Sequence, residues 1–425
     1  MRSRSAAEVS AGAEPPRRPG VQLPWRRLIG VAAAGFAVAA VLLALQFIRL
    51  AADHQGSDPT APFVVGARWQ LGAELAARNV RATVTSGPGY DGQWFLGLAY
   101  DPLLRDHLAE GFDMPRYRAH RPLLSMAGWV LGAGRPAAIP VALLAVELLA
   151  VALGCAAVGR VLASFGRSRW WGLGFSLIPG VAVGVMFGTA EPLGLALAAL
   201  GLSLALERHP AAAGLAFAAA GLTKETYLGF AAAAAAWLLL RSGRAVSERV
   251  GSALAVAVPG VALLAVWWWY VARMVPSTAR DSAGMQAFSR PLAGWAQAIA
   301  QVGGGRYVAD APVGPFGPAA IVGMFVVLVL AVVVSLRLRT LADWTGLLMA
   351  CYGLSLDGGL LGRFLSATRA LAPCVLAAGL AVLASGLRRP GRRHTVEPAP
   401  TPASMVAAGP AREPVRSSLR SPSSR

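Results

Sequence analysis

Apolar residues along this chain come in long unbroken runs separated by short polar connections. Runs that are apolar all round belong inside a large core or a bilayer, and about 20 residues cross a bilayer. The runs 28–50, 138–159, 170–188, 191–206, 210–223, 225–241, 250–272, 317–336, 341–360 and 367–386 are candidate spans. The first exceeds a signal-peptide core of roughly 7–15 residues, which makes it an uncleaved span. The stretch 121–134 is shorter and fits an interfacial or re-entrant helix. The pattern predicts an all-α polytopic membrane protein with about ten transmembrane helices and a long first outer loop carrying short helices.

Composition strengthens that reading. Of 425 residues, 56% are apolar and 14% charged. About 25% are charged in a soluble globule, so these charges could not cover one. Disordered, fibrous and disulfide-scaffold classes are excluded. Cys155, Cys351 and Cys374 lie in apolar runs and read as small core residues. The formal net charge of +18 raises nucleic acid as a partner. The arginines lie in loops and tails, however, so charge reports topology and no nucleic-acid partner is expected.

Residues 1–27 and 387–425 are arginine-bearing, polar and rich in small residues, and read as disordered cytoplasmic tails. The second lies against an anionic inner leaflet. The positive-inside rule then sorts the connections. With 121–134 non-spanning, Arg160, Arg167, Arg169, Arg208, Arg241, Arg244, Arg249, Arg337 and Arg339 fall inside with both tails. Loops 51–137 and 273–316 fall outside, as does the aromatic run Trp267–Tyr270. The expected location is the cytoplasmic membrane, with both termini cytoplasmic and one transmembrane domain over 28–386.

This topology delivers Asp91, Glu191, Lys224, Glu225, Asp357 and Arg363 to the outer side. Ionisable groups at membrane depth are expensive and line cavities, so one shared outward-facing cavity is the economical arrangement. In the first loop, Ser86–Gly89 reads as a turn and Tyr90–Tyr100 as a short helix ended by Asp101-Pro102. Asp91 has two readings: a helix cap worth about 1 kcal/mol, or a reactive carboxylate beside Gly92, which lets a ligand approach. Arg116, Arg118 and Arg121 either fork onto a lipid phosphate or snorkel at the membrane edge. Lys224 is the single lysine and needs a partner. Glu225 cannot face the same way on a helix, which leaves Glu191 or a phosphate, or a structural interhelical pair. Glu147, inside the second span, reads as a packing hydrogen bonder or as a transporter's proton site. Asp343 reads as a helix cap. The histidines show no metal spacing, Gly303–Gly305 is a flexible turn, and there is no Walker motif.

The segment Tyr90-Asp91-Gly92-Gln93-Trp94-Phe95, in a long first outer loop, resembles the GT-C superfamily of membrane glycosyltransferases. The nearest likeness is to bacterial relatives of the GPI-anchor second mannosyltransferase. Thr189-Ala190-Glu191-Pro192-Leu193 resembles that family's Thr/Ser-x-Glu-Pro element. Leu222-Thr223-Lys224-Glu225-Thr226 resembles its Lys-Glu element, and Arg363, before Arg369–Pro373, its late arginine. The likeness covers 28–386. It implies a polyprenyl-phosphate sugar donor, a lipid, glycan or protein acceptor, and inverting transfer outside the membrane. Asp91 would be the base. Tyr90, Gln93, Arg116, Arg118, Arg121, Glu191, Lys224, Glu225 and Arg363 would bind substrate. Asp-Gly stands where the best-known members have paired acids, so a divalent metal cofactor stays open and none is required by the residues. A secondary transporter or lipid flippase, and a non-catalytic envelope scaffold, are the alternatives.

Overall fold

The computed structural model of the protein describes residues 23–53, 58–241, 243–278, 281, 287–303 and 316–385. Most of the N-terminal tail, the whole C-terminal tail, and Gly304 and Gly305 lie outside the described residues.

The described chain is mostly helical. Helix α1 (Ile29–Ala52) leads into the first loop. That loop holds a parallel pair, β1 (Val65–Gly66) and β2 (Val84–Thr85), with Val65 opposite Val84. It also holds the short helices α2 (Leu71–Ala77), α3 (Gly92–Tyr100), α4 (Pro115–Ala119) and α5 (Leu123–Leu131). A run of helices follows: α6 (Ile139–Ser164), α7 (Pro179–Phe187), α8 (Glu191–Leu206), α9 (Pro210–Thr223), α10 (Leu228–Leu240) and α11 (Val246–Met274). The rest are α12 (Ala293–Gly303), α13 (Phe316–Ser335), α14 (Leu341–Leu354), α15 (Gly358–Leu361) and α16 (Phe364–Ser385).

Several of these helices are apolar enough to place the protein in a membrane. By length and composition, four among the described residues can cross one: 25–52, 136–164, 246–274 and 365–385. A fifth is added if the 3-10 segment Arg169–Leu177 and α7 are one span, bent by 59°. The bend falls where Ile178 is extended and Pro179 opens the next helix. Length alone therefore gives fewer spans than the apolar runs did. Proline at a first turn, or an ion-pairing residue between two runs, cuts the apolar stretches into helices such as α8 and α9, of 16 and 14 residues. Helix α5 has 9 residues, well short of the about 20 a span needs.

Small residues let these helices approach closely. A Cβ on Gly35 of α1 would meet the Cys155 sulfur at 2.6 Å, and one on Gly201 of α8 the Phe217 ring at 2.6 Å. Cys155 and Cys374 are buried, but Cys351 is exposed. The α14 helix turns it outward, against the reading of all three as core. Asp343 completes a capping box with Thr340 at the start of α14.

Each end of α8 has its own charges. At the far end, Arg160 Nε lies 2.5 Å from Glu207 Oε1. Ser203 donates to the same oxygen at 2.9 Å, and the Arg160 guanidinium covers the Trp25 ring at 4.4 Å. Near the other helix ends, Arg167 donates to the Leu383 carbonyl (2.7 Å) and Arg249 to that of Leu239 (3.1 Å). These bonds satisfy carbonyls left open by the last turns of α16 and α10.

Candidate functional site

The near end of α8 meets the start of α3. Gly92 opens α3 where a Cβ would sit 2.0 Å from the Phe187 carbonyl oxygen. Only glycine lets this turn lie against the end of α7. Gly188 then closes α7 in the left-handed region, φ +61°. Gln93 braces the loop from below: it accepts from Gly66 N–H at 3.0 Å and donates to the Pro88 carbonyl at 2.9 Å. It is buried in that role, away from the substrate-binding task the resemblance implies.

Asp91 stands in the cap position of α3, yet its side chain caps no backbone N–H and its backbone is already helical. The cap reading is therefore wrong. Arg118 Nη1 reaches Oδ1 at 3.1 Å, and Arg369 Nη1 donates to Oδ2 at 2.7 Å. The Asp91 side chain keeps 32% of its surface exposed, against 12% for Arg118 and 10% for Arg369. It is the most exposed member of the network, with Glu225 close behind at 30%.

The three loop arginines diverge. Arg118 uses Nε and Nη2 in a fork on Asp113, both at 2.9 Å, and its third nitrogen on Asp91. Arg121 forks onto Glu225 at 3.0 and 2.7 Å and donates to Tyr117 Oη at 2.8 Å. Arg116 turns away and donates to the Val275 carbonyl at 2.9 Å and that of Ala272 at 3.3 Å, at the C-terminal end of α11. Neither Arg116 nor Arg121 presents a free fork to a phosphate. Trp267 Nε1 donates to the Ala119 carbonyl (2.9 Å), which ties α11 to this segment.

Arg369, on α16, was not singled out as a site residue from the sequence. It is buried, and besides Asp91 it donates Nη2 to Glu191 Oε1 at 3.1 Å. Lys224 Nζ meets the same Glu191 oxygen at 3.3 Å, and Thr189 Oγ1 donates to Oε2 at 2.5 Å. Lys224 thus meets Glu191, one of the partners its position left open. Tyr90 Oη accepts from Arg369 at 3.3 Å while its ring packs on Phe187 at 4.8 Å. The connected series runs Asp113, Arg118, Asp91, Arg369, Glu191, Lys224. Arg363, expected as the late arginine, is exposed on the turn before α16, and no bond joins it to this network. Asp357 is likewise apart, capping α15 through Gly359 N–H at 2.8 Å. The signal for Arg369 was in the sequence: an arginine inside an apolar run costs too much to be there without partners.

Burial pushes the Asp91 carboxyl up, but Arg118 and then Arg369 outweigh it and hold it well below the usual carboxylate range. Burial pushes His120 down to about 4. Its ring, stacked on Trp268 at 4.7 Å, is neutral at pH 7. Among the described residues no three His, Cys, Asp or Glu side chains converge as a metal set. Asp91 and Glu191 offer their oxygens to guanidinium and ammonium groups, a setting that does not fit a divalent cation. Glu147, buried in α6, has no hydrogen-bond partner at either oxygen.

Comparison of the chain with protein families, with curated proteins and with solved structures found no match.

Proposed function

We propose that this chain is an integral-membrane glycosyltransferase of GT-C type. It moves a sugar from a polyprenyl-phosphate donor to an extracytoplasmic lipid, glycan or protein acceptor. The observation that carries the reading is an accessible carboxylate, Asp91, seated between the half-buried guanidinium of Arg118 and the buried one of Arg369. Transfer with inversion needs a base for the acceptor hydroxyl and positive charge for the leaving phosphate. The acceptor O–H gives its proton to Asp91, and its oxygen attacks the anomeric carbon. The bond from that carbon to the phosphate oxygen breaks, and its electron pair stays on the phosphate. Arg118 and Arg369 hold the charge that collects there. Arg121, Glu225, Glu191 and Lys224 fix the two arginines and the loop in register.

The same reading sets the topology: about ten membrane-embedded helices, short ones included, with both termini cytoplasmic and the Asp91 end outside. Loop arginines at the other end of the bundle, such as Arg167 and Arg241, support this orientation.

The test is sugar transfer by purified wild type and Asp91→Asn, with a panel of radiolabelled polyprenyl-phosphate monosaccharides. Turnover by wild type alone is the expected result. Equal turnover by both proteins removes Asp91 from the chemistry. One observation favours a second reading, a proton-coupled transporter: the Glu147 carboxyl inside α6, with no hydrogen-bond partner among the described residues. Proton flux in liposomes that is lost in Glu147→Gln would select it.

A further inference from the structure

Two guanidiniums from distant parts of the chain, Arg118 on α4 and Arg369 on α16, each give one nitrogen to one oxygen of Asp91. Two cations converging on two oxygens of one anion is also the geometry that seats a phosphate. The site therefore holds a carboxylate where the leaving group of the proposed reaction has to be. The surrounding bonds keep it there. Arg118 is anchored from behind by its fork on Asp113, and Arg369 by Glu191. Neither guanidinium needs to move when its front partner changes. Asp91 is the member that can yield: the backbone around it is tightly packed, but its side chain is the most exposed of the three.

The charges balance as well. Arg118, Arg121, Lys224 and Arg369 face Asp91, Asp113, Glu191 and Glu225, as many cations as carboxylates. A phosphodiester added to this set would crowd a fifth anion against the four. It is accommodated if one carboxylate yields its cations. From this geometry we infer that Asp91 is the resting counter-ion of the Arg118–Arg369 seat, and that the phosphate of a polyprenyl-phosphate donor displaces it.

The inference rests on the proposed donor class and adds regulation to it. Paired with two guanidiniums, Asp91 is a poor base. Once the phosphate takes the guanidiniums, the carboxylate is free, and an ordinary carboxylate accepts a proton more readily. The base is thus switched on by the donor. Donor binds before acceptor activation, and water is not activated in its absence.

Competition for the same cations gives the test an unusual sign. The full-length chain is titrated in detergent with farnesyl phosphate, with farnesol and inorganic phosphate as controls. Asp91→Asn keeps the shape and removes the competing charge. It should bind farnesyl phosphate more tightly than wild type, by about tenfold, although it is inactive in transfer. Arg369→Gln should bind more weakly than wild type. Should Asp91→Asn not fold, wild type alone decides. Its infrared difference spectrum on adding farnesyl phosphate should show a carboxylate band shift, as Asp91 leaves the arginines.

Equal or weaker binding by Asp91→Asn, or no band shift, overturns the exchange and leaves the glycosyltransferase reading standing. Inorganic phosphate binding as tightly as farnesyl phosphate upholds the exchange but overturns the lipid-donor reading. No binding of farnesyl phosphate to wild type or variant overturns both.

Discussion

Helix α8 has a carboxylate at each end, about 24 Å apart, and the two are used differently. Glu207 has one arginine, Arg160, with Ser203 on the same oxygen and the Trp25 ring beneath the guanidinium. Glu191 shares one oxygen between Arg369 and Lys224, and Arg369 is in turn shared with Asp91. The Arg160–Glu207 pair ties two helices, and neither of its charges is shared with a third charged group among the described residues. A shared series can exchange one partner for another without exposing an unpaired charge. The difference separates an ion pair between two helices from a series of shared charges that ends on an exposed carboxylate.

The largest effect should come from breaking the shared end. Arg369→Ala leaves Asp91 and Glu191 without their common cation, and removing one partner of a buried pair costs about 3–5 kcal/mol. Thermal unfolding in detergent should show the loss, and transfer should vanish with it. Glu207→Gln tests the other end. It should cost about 1–3 kcal/mol and leave the KM for donor unchanged in the transfer assay. A changed KM would erase the distinction between the two ends.

Acid sharpens the contrast further. The folded state holds His120 neutral down to about 4, against an ordinary value of 6.5. The unfolded chain binds that proton first. The contribution is thus full above about pH 6.5 and is lost as pH falls toward about 4. His120→Phe should flatten this part of the stability profile, with Glu207→Gln leaving it as in wild type. The smallest effect belongs to Arg363→Ala. An exposed side chain outside the network should change stability by less than about 0.5 kcal/mol. Transfer rates should stay within twofold of wild type if the late arginine is Arg369.

Several helix ends were legible in the sequence. The apolar runs 191–206 and 210–223 match α8 and α9 residue for residue. Glu191-Pro192 and Pro210 mark first turns, and proline has a fixed place there. That Lys224 needs a partner was legible too, because a lone ammonium between apolar runs is costly. The sequence left Glu191, a phosphate or a structural pair open, and the fold supplies Glu191. Other features depend on tertiary geometry. Arg116 and Arg118 are two residues apart on one short helix, and only the position of the end of α11 decides that one caps carbonyls while the other faces Asp91. Asp91 satisfies every local rule for a helix cap. Two arginines far away in the chain override that preference, since a charge pair outweighs a single N–H bond. The number of spans was the least legible property. Composition reports which residues avoid water, whereas proline, glycine and paired charges decide how many residues each helix keeps.

The even balance of cations and carboxylates around Asp91 has an electrical consequence. A charge moved through a membrane potential gains or loses about 2.3 kcal/mol per 100 mV. A cluster whose charges cancel feels almost no net force in that field, however deep it lies. In the proposed topology, the resting site would therefore not respond to the energetic state of the membrane. Only a charged ligand entering it would sense the voltage.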